Sequence, residues 1–193
     1  MKNYFAHKTA EIDQNCIIGE GTKIWHFSHI MSESKLGKKC NIGQNVVVAP
    51  GVVLGNNVKV QNNVSIYDNV ILEDDVFCGP SMVFTNVYNP RSAINRKNEY
   101  KNTIIRHGAT LGANCTLVCG IEIGTFSFIA AGSLVNRNVK PYALMAGIPA
   151  RQIGWMNTYG ERVELPLSGN KEWKCPNTGE IYKLEGENLT RST

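Results

Sequence analysis

An aliphatic residue returns every six positions along the chain: Ile12, Ile18, Ile24, Ile30, Leu36, Ile42, Val48, Leu54, Val60, Ile66 and Leu72, with Cys78 and Phe84 in the same phase. Four residues after each comes a second small or β-branched set, Cys16, Thr22, Ser28, Ser34, Cys40, Val46, Val52, Val58, Val64, Val70, Val76 and Met82. Gly, Asn or Asp fills many of the positions between. Neither the 3.6-residue helical period nor strict alternation fits. A six-residue period describes a parallel β-helix, three hexads closing one triangular coil. The expected fold is therefore all-β, a prism of about six coils and about 30 Å tall at ~4.8 Å per strand. The first and fifth hexad positions face inward, which puts Cys16, Cys40, Cys78 and Cys115 in the core as small hydrophobes. The period does not fix the hand of the coil.

The phase breaks after residue 89 and resumes at Ile105, Leu111, Leu117, Ile123, Ile129 and Val135. The interruption, residues 90–104 (PRSAINRKNEYKNTI), carries several charges and cannot be prism wall; a loop of that length in a compact domain is usually functional or disordered, and function is the expectation here. The phase also predicts neighbours. Asp68, Asn86 and Cys119 occupy the same outward position on consecutive coils, and His107 takes the equivalent place on the second face, where the loop returns. Polar residues beside a long loop on a regular wall are the candidate site, although Asp68 and Asn86 also suit solvated wall positions. Cys119 is expected to be an outward thiol without a catalytic task. His26 and His29, in KIWHFSHI, belong to the first coils and are expected to serve packing or contact between subunits.

Composition agrees with short strands and turns. The chain of 193 residues has 21 Asn and 18 Gly, and 33 Val and Ile against 11 Leu. A net charge of +4 with scattered Lys and Arg excludes a nucleic-acid track but admits small anions. No stretch approaches a membrane span, and the start lacks the apolar run of a signal peptide, so a cytoplasmic protein with free thiols is expected. The closest cysteines, Cys115 and Cys119, lack metal-ligand spacing, and no metal is expected. Residues 152–193 leave the repeat; KEWKCPNTGEIYKLEGENL reads as a hairpin turning at NTG, suited to capping the last coil of a domain spanning 1–151.

The hexads, GATLGANCTLVCGIEIG (108–124) and PYALMAGIPAR (141–151) resemble the left-handed β-helix acyltransferases of the hexapeptide-repeat superfamily. FCGPSMVFTNVYNPRSAINRK (77–97) and RQIGWMNTYGE (151–161) are similar, more narrowly, to bacterial nucleotide-sugar 3-N-acetyltransferases, above all those acting on UDP-2-acetamido-3-amino-2,3-dideoxy-glucuronate in surface polysaccharide (O-antigen) assembly. The resemblance implies a left-handed coil and a homotrimer with three sites between adjacent prisms. It further implies acetyl-CoA along the C-terminal coils and the nucleotide sugar near the loop.

Asn86 would then orient the sugar 3-amino group, and Arg91 and Arg96 would bind diphosphate or uronate carboxylate. Gly120, Ala131, Gly132, Ala146, Gly147 and Arg151 would line the acetyl-CoA site, with a backbone N–H near Gly120 or on the outer wall serving the oxyanion. Direct attack of the amine on the thioester needs no covalent enzyme intermediate. The proton acceptor stays open between His107, Asp68 acting through Asn86 or a water, and the departing CoA thiolate. A dTDP-3-amino-deoxyhexose is the alternative acceptor. A non-catalytic scaffold or a metal-dependent hydratase are the rival functions.

Overall fold

The computed structural model describes residues 3–192. Strands of two or three residues wind into a prism with three parallel faces. The first face stacks Glu11–Ile12, His29–Ile30, Val47–Val48, Ser65–Ile66, Val83–Phe84, Thr116–Leu117 and Leu134–Val135. A second face stacks Ile17–Ile18, Lys35–Leu36, Val53–Leu54, Val70–Leu72, Thr103–Ile105 and Glu122–Ile123. The third begins at Phe5–Ala6, ends its parallel run at Ala143–Gly147, and then turns back through the antiparallel strands Ala150–Met156 and Arg162–Val163.

Register confirms the period. Val47 pairs with Ser65, eighteen residues on, whereas Val83 pairs with Thr116, thirty-three on; the difference is the fifteen residues of 90–104. The coil count exceeds the expected six. Among the described residues seven strands stack on the first face and eight run parallel on the third, where Phe5–Ala6 and Ala143–Gly147 hydrogen-bond onto edges that would otherwise be bare.

Each corner turns through a residue with positive φ at the fourth hexad position: Asn15, Glu33, Asn45, Asn57, Asn63, Asn69, Asp75 and Asn114, with Gly21, Gly51, Gly108, Gly120 and Gly132 in equivalent places. This is the physical use of the Asn and Gly excess, since these residues enter the left-handed region at the lowest steric cost. Three aromatic residues take the same conformation, Phe27 (φ 58), Phe126 (φ 51) and Tyr142 (φ 62).

Inside, Ile24, Ile30, Ile42, Ile66, Leu111 and Leu117 stack without solvent exposure. The small residues of the fifth hexad position do more than fill space. Thr22, Ser28, Ser34 and Cys40 each donate to a carbonyl of the next coil, on Gly37, Gly43, Ala49 and Gly55, at 2.6–3.1 Å. These four polar groups are thus satisfied by the rung above, whereas the buried Ser127 hydroxyl has no partner among the described residues. Cys40, Cys78 and Cys115 are buried, while Cys16, in the first coil, is half-buried. Burial pushes the Cys115 thiol up to about 12, so it stays protonated and inert.

The strand Ala150–Met156 runs through position 151 without interruption. Beyond it, Gly169–Lys174, Ile181–Gly186 and Asn188–Ser192 form a three-stranded antiparallel sheet. Tyr182, Leu184 and Leu189 join the prism core, and Trp155, fully buried, donates its indole N–H to the Pro166 carbonyl at 2.9 Å. Among the described residues no helix is long and apolar enough to cross a membrane.

Candidate active site

The three corners of the prism carry different chemistry. Between the first and second faces stand Asp68 and Asn86, and from this corner the 90–104 loop leaves. Its root is held shut by backbone and hydroxyls. Lys101 N–H donates to the Asn86 carbonyl at 3.0 Å, and Cys119 N–H donates to Thr85 Oγ1 at 2.9 Å. Gly120 N–H donates to Thr103 Oγ1 at 3.2 Å.

Two expectations fail here, for one reason. Gly120 cannot offer its N–H to an oxyanion, because Thr103 already accepts it; a Cβ on Gly120 would moreover lie 2.9 Å from the Tyr88 hydroxyl and 3.3 Å from Lys101. Cys119, expected outward, is fully buried yet outside the apolar core. The loop folds back over this corner, burying Cys119 and engaging the N–H of Gly120, which itself stays exposed. Thr85, Thr103, Tyr88 and Lys101 are the residues that do this, and the six-residue period, which places wall residues but says nothing of how a loop folds back on them, gave no signal for these contacts.

Asn86 keeps its side chain free. Only its backbone carbonyl is engaged, and the half-buried carboxamide makes no hydrogen bond among the described residues. Asp68 likewise has no hydrogen-bond or ion-pair partner there. The loop itself forms an open hollow of about 560 Å³ lined by Val87, Arg91, Ile94, Arg96, Lys97 and Tyr100 among others, with neither Asn86 nor Asp68 in its lining. Arg91 is exposed and its guanidinium is unpaired. Arg96 differs: its guanidinium donates to both carboxylate oxygens of Glu99, at 2.8 and 2.9 Å, while its buried Nε lacks a partner.

His107 stands on the corner between the second and third faces. Its backbone N–H donates to Glu73 Oε2 at 2.8 Å, its Nδ1 lies 3.7 Å from Asp75 Oδ2, and the Phe126 ring meets it edge-on at 5.0 Å. Beside it, a hollow of about 410 Å³ is lined by Val53, Ile71, Glu73 and Asp74. Arg106 bridges Glu73 and Glu122 at 2.8 and 2.9 Å and holds the Glu122 carboxyl below its ordinary range. A whole face separates His107 from Asn86, so one chain does not bring these two candidates together.

Ala131 and Gly132 form the third corner, between the third and first faces, and both are exposed. Nothing lies within 4 Å of a Cβ built on Gly132, so the space above it is open to a ligand, although its N–H is engaged by the Ala113 carbonyl at 2.8 Å. Gly147 N–H donates to Ser133 Oγ at 3.2 Å, which draws the 146–151 turn onto this corner. Ala146 pairs with Arg151 across the two antiparallel strands. The Arg151 side chain is exposed and donates to the Ala150 carbonyl at 3.1 Å. Five of the six residues expected to line an acetyl-CoA site therefore gather at one end of the prism, and Gly120 does not.

The hexads match the family model described as bacterial transferase hexapeptide (six repeats) over residues 15–50. They also match the hexapeptide repeat of succinyl-transferase over 35–68 and 103–137. A dTDP-3-amino-3,6-dideoxy-α-D-galactopyranose 3-N-acetyltransferase of Aneurinibacillus thermoaerophilus is 47% identical over 152 residues, covering 79% of this chain and 78% of that protein. Among solved structures, a hexapeptide-repeat acetyltransferase of Vibrio cholerae complexed with acetyl-CoA superposes with a TM-score of 0.57 at 26% identity, covering 64% of this chain and 71% of that one. The acetyltransferase domain of PglB from Neisseria gonorrhoeae shares the fold alone, with a TM-score of 0.52 at 19% identity over 78% of this chain and 57% of that one. The chain belongs to the hexapeptide-repeat acyltransferases, whose left-handed parallel β-helix it adopts. Within that family it is an acetyltransferase.

Proposed function

We propose that this enzyme moves the acetyl group of acetyl-CoA onto the 3-amino group of a nucleotide-linked amino sugar, and that the acceptor is a dTDP-3-amino-3,6-dideoxyhexose. The 47% identity to an enzyme named for that acceptor class carries the reading. It reverses the order that the resemblance implied, in which the UDP-linked uronate came first. In the loop Arg96 is engaged by Glu99, while Arg91 and Lys97 have no ion-pair partner among the described residues and suit the diphosphate that both acceptors share.

The Asn86 carboxamide orients the amine. Ala131, Gly132, Ala146 and Gly147 hold the pantetheine arm through backbone groups, and the planar fork of Arg151 takes a phosphate of the nucleotide end. Nitrogen attacks the thioester carbonyl; the C–N bond forms, the C–S bond breaks, and the amine proton goes to the leaving thiolate or to a neighbouring base. Asp68 stands on the same corner as Asn86, whereas His107 reaches the site only from an adjacent prism. A homotrimer with sites between prisms is accordingly part of the proposal, as are cytoplasmic residence, a step in surface polysaccharide assembly, and the division into a catalytic unit 1–151 and an extension 152–193.

The test compares kcat/KM for a dTDP-3-amino-3,6-dideoxyhexose with that for UDP-2-acetamido-3-amino-2,3-dideoxy-glucuronate. The dTDP sugar is expected to be favoured by about tenfold or more, the scale of discrimination set by one unpaired polar group. The opposite order would return the uronate to first place.

A further inference from the structure

The first coils carry an aromatic and amide-rich surface that the transfer step leaves unused. Phe5, Trp25 and Phe27 expose 47%, 37% and 62% of their area. Phe27 holds a left-handed backbone (φ 58), a conformation a bulky residue adopts at a cost, and its ring points to solvent rather than recovering that cost by burial. Trp25 is pinned by its indole N–H, which donates to Asn41 Oδ1 at 2.9 Å. Its ring plane lies within 6° of the His26 ring, and His26 is backed by His7 at a centroid distance of 3.5 Å.

Beside these rings lies a hollow of about 240 Å³ lined by Trp25, His26, Gly43, Gln44, Gln61 and Asn62. Asn62 Oδ1 accepts the Gln44 backbone N–H at 2.8 Å, which fixes the floor. The side-chain amides of Gln44 and Gln61 make no hydrogen bond among the described residues. A carboxamide presents a donor and an acceptor side by side, the complement of the imide edge of a pyrimidine dione. An exposed ring next to free carboxamides is the combination that stacks a base and reads its edge.

The height of this surface also fits. Gln44 stands on the corner between the third and first faces, and Pro80 stands two strands further along it. At ~4.8 Å per strand this is about 10 Å along the prism axis, a span that a pentose and a diphosphate fill. Asn86 stands beyond the far end of Val83–Phe84, across the first face, so a nucleotide on this shelf would present its diphosphate and sugar to Arg91 and Asn86 of an adjacent prism in the trimer proposed above.

We infer that this shelf is the nucleobase subsite of the acceptor: a pyrimidine dione stacks on Trp25 or Phe27 and pairs with the carboxamides of Gln44 and Gln61. The inference rests on the acetyl-transfer reading above and adds residues to its acceptor site.

The experiment is calorimetric titration with dTDP, without a sugar, of the full-length protein and of Phe27→Asn and Gln44→Leu/Gln61→Leu variants. Asn keeps the left-handed backbone while deleting the ring, and the two glutamines lie at the surface, so folding is preserved; acetyl-CoA affinity checks it. Each variant is expected to bind dTDP about tenfold or more weakly, the scale of a lost base pairing or stack, with acetyl-CoA affinity unchanged. In turnover the acceptor KM rises while kcat holds. Unchanged dTDP affinity in both variants of an active enzyme overturns this inference alone, including the case where they alter only the association of chains. A wild-type protein that binds neither dTDP nor UDP and turns over no 3-amino nucleotide sugar overturns the parent reading with it.

Discussion

Gly112→Ala is the perturbation whose sign the structure decides. Replacing a glycine with alanine where the backbone is compatible ordinarily stabilises by about 0.4–1 kcal/mol, through the unfolded chain. Gly112 has no positive φ, so the backbone alone would permit the gain. A Cβ there, however, would lie 2.5 Å from Ala131 N, 2.6 Å from Ile129 O and 2.8 Å from Ala130 C, all backbone of the next coil. Ordinary contact begins at 3.4 Å, so the Ala130–Gly132 corner must withdraw by about 0.9 Å. Overpacking of this kind costs about 1–3 kcal/mol, which for a chain of this size lowers Tm by about 2–12 °C instead of raising it. The displaced corner is the one proposed to hold the pantetheine arm, and misplacement by about an ångström can cost up to a hundredfold in rate. Thermal unfolding and the kcat/KM for acetyl-CoA are the assays. A Tm equal to or above wild type would refute the reasoning, because it would mean the coils are not packed backbone against backbone at this position.

Asn86→Ala should reduce kcat by about tenfold or more with acetyl-CoA affinity retained, as loss of one positioning hydrogen bond in the transition state requires; near-normal turnover would remove Asn86 from its role. His107→Ala, on a different corner, should cost less than about tenfold, and a loss above about a hundredfold would mark it instead as a positioned general base. Cys119→Ser should remain active, with no acetylated protein trapped by rapid quench, since the thiol is buried beneath the loop. The C-terminal sheet is fastened by Glu180, whose carboxylate accepts from Thr158 Oγ1 at 2.6 Å, Tyr182 OH at 2.8 Å and Arg191 at 2.7 Å, contacts that hold its carboxyl below the ordinary range. A depressed carboxyl contributes stability above its unfolded value of 4.5 that is lost as pH falls through the lower folded one. The wild-type Tm should therefore fall below about pH 4.5 more steeply than that of Glu180→Gln, and parallel curves would show that the latch contributes nothing.

The prism was legible because its physics is one-dimensional. Inward positions recur every six residues, so Ile66, Phe84 and Leu117 announce both their burial and their stacking, and the thirty-three-residue step across the loop follows from counting. The corners were half legible. Asn and Gly mark most of them, but Phe27, Phe126 and Tyr142 take the same conformation against their intrinsic preference. Phe126 and Tyr142 are held by contacts no local pattern encodes, stacked on each other at 5.9 Å with the Arg191 guanidinium 5.8 Å from the Phe126 ring. At the site, Asn86 and the loop were visible as a break in the period. What the loop covers was not: the burial of Cys119 and the engagement of the Gly120 N–H depend on Thr85, Thr103 and Tyr88 meeting in space. The third strand of the C-terminal sheet, Asn188–Ser192, was missed because its pairing with Ile181–Gly186 follows a turn through Glu187 that the sequence does not mark strongly.

Thiol release from acetyl-CoA, followed continuously while amino nucleotide sugars are added one at a time, reaches the central claim most directly. Release should depend on a 3-amino sugar, should be fastest with the dTDP-linked 3-amino-3,6-dideoxyhexose, and should yield one N-acetylated sugar per thiol. Acetyl-CoA that stays intact with every 3-amino nucleotide sugar, or thiol release with no acetylated sugar formed, would contradict it.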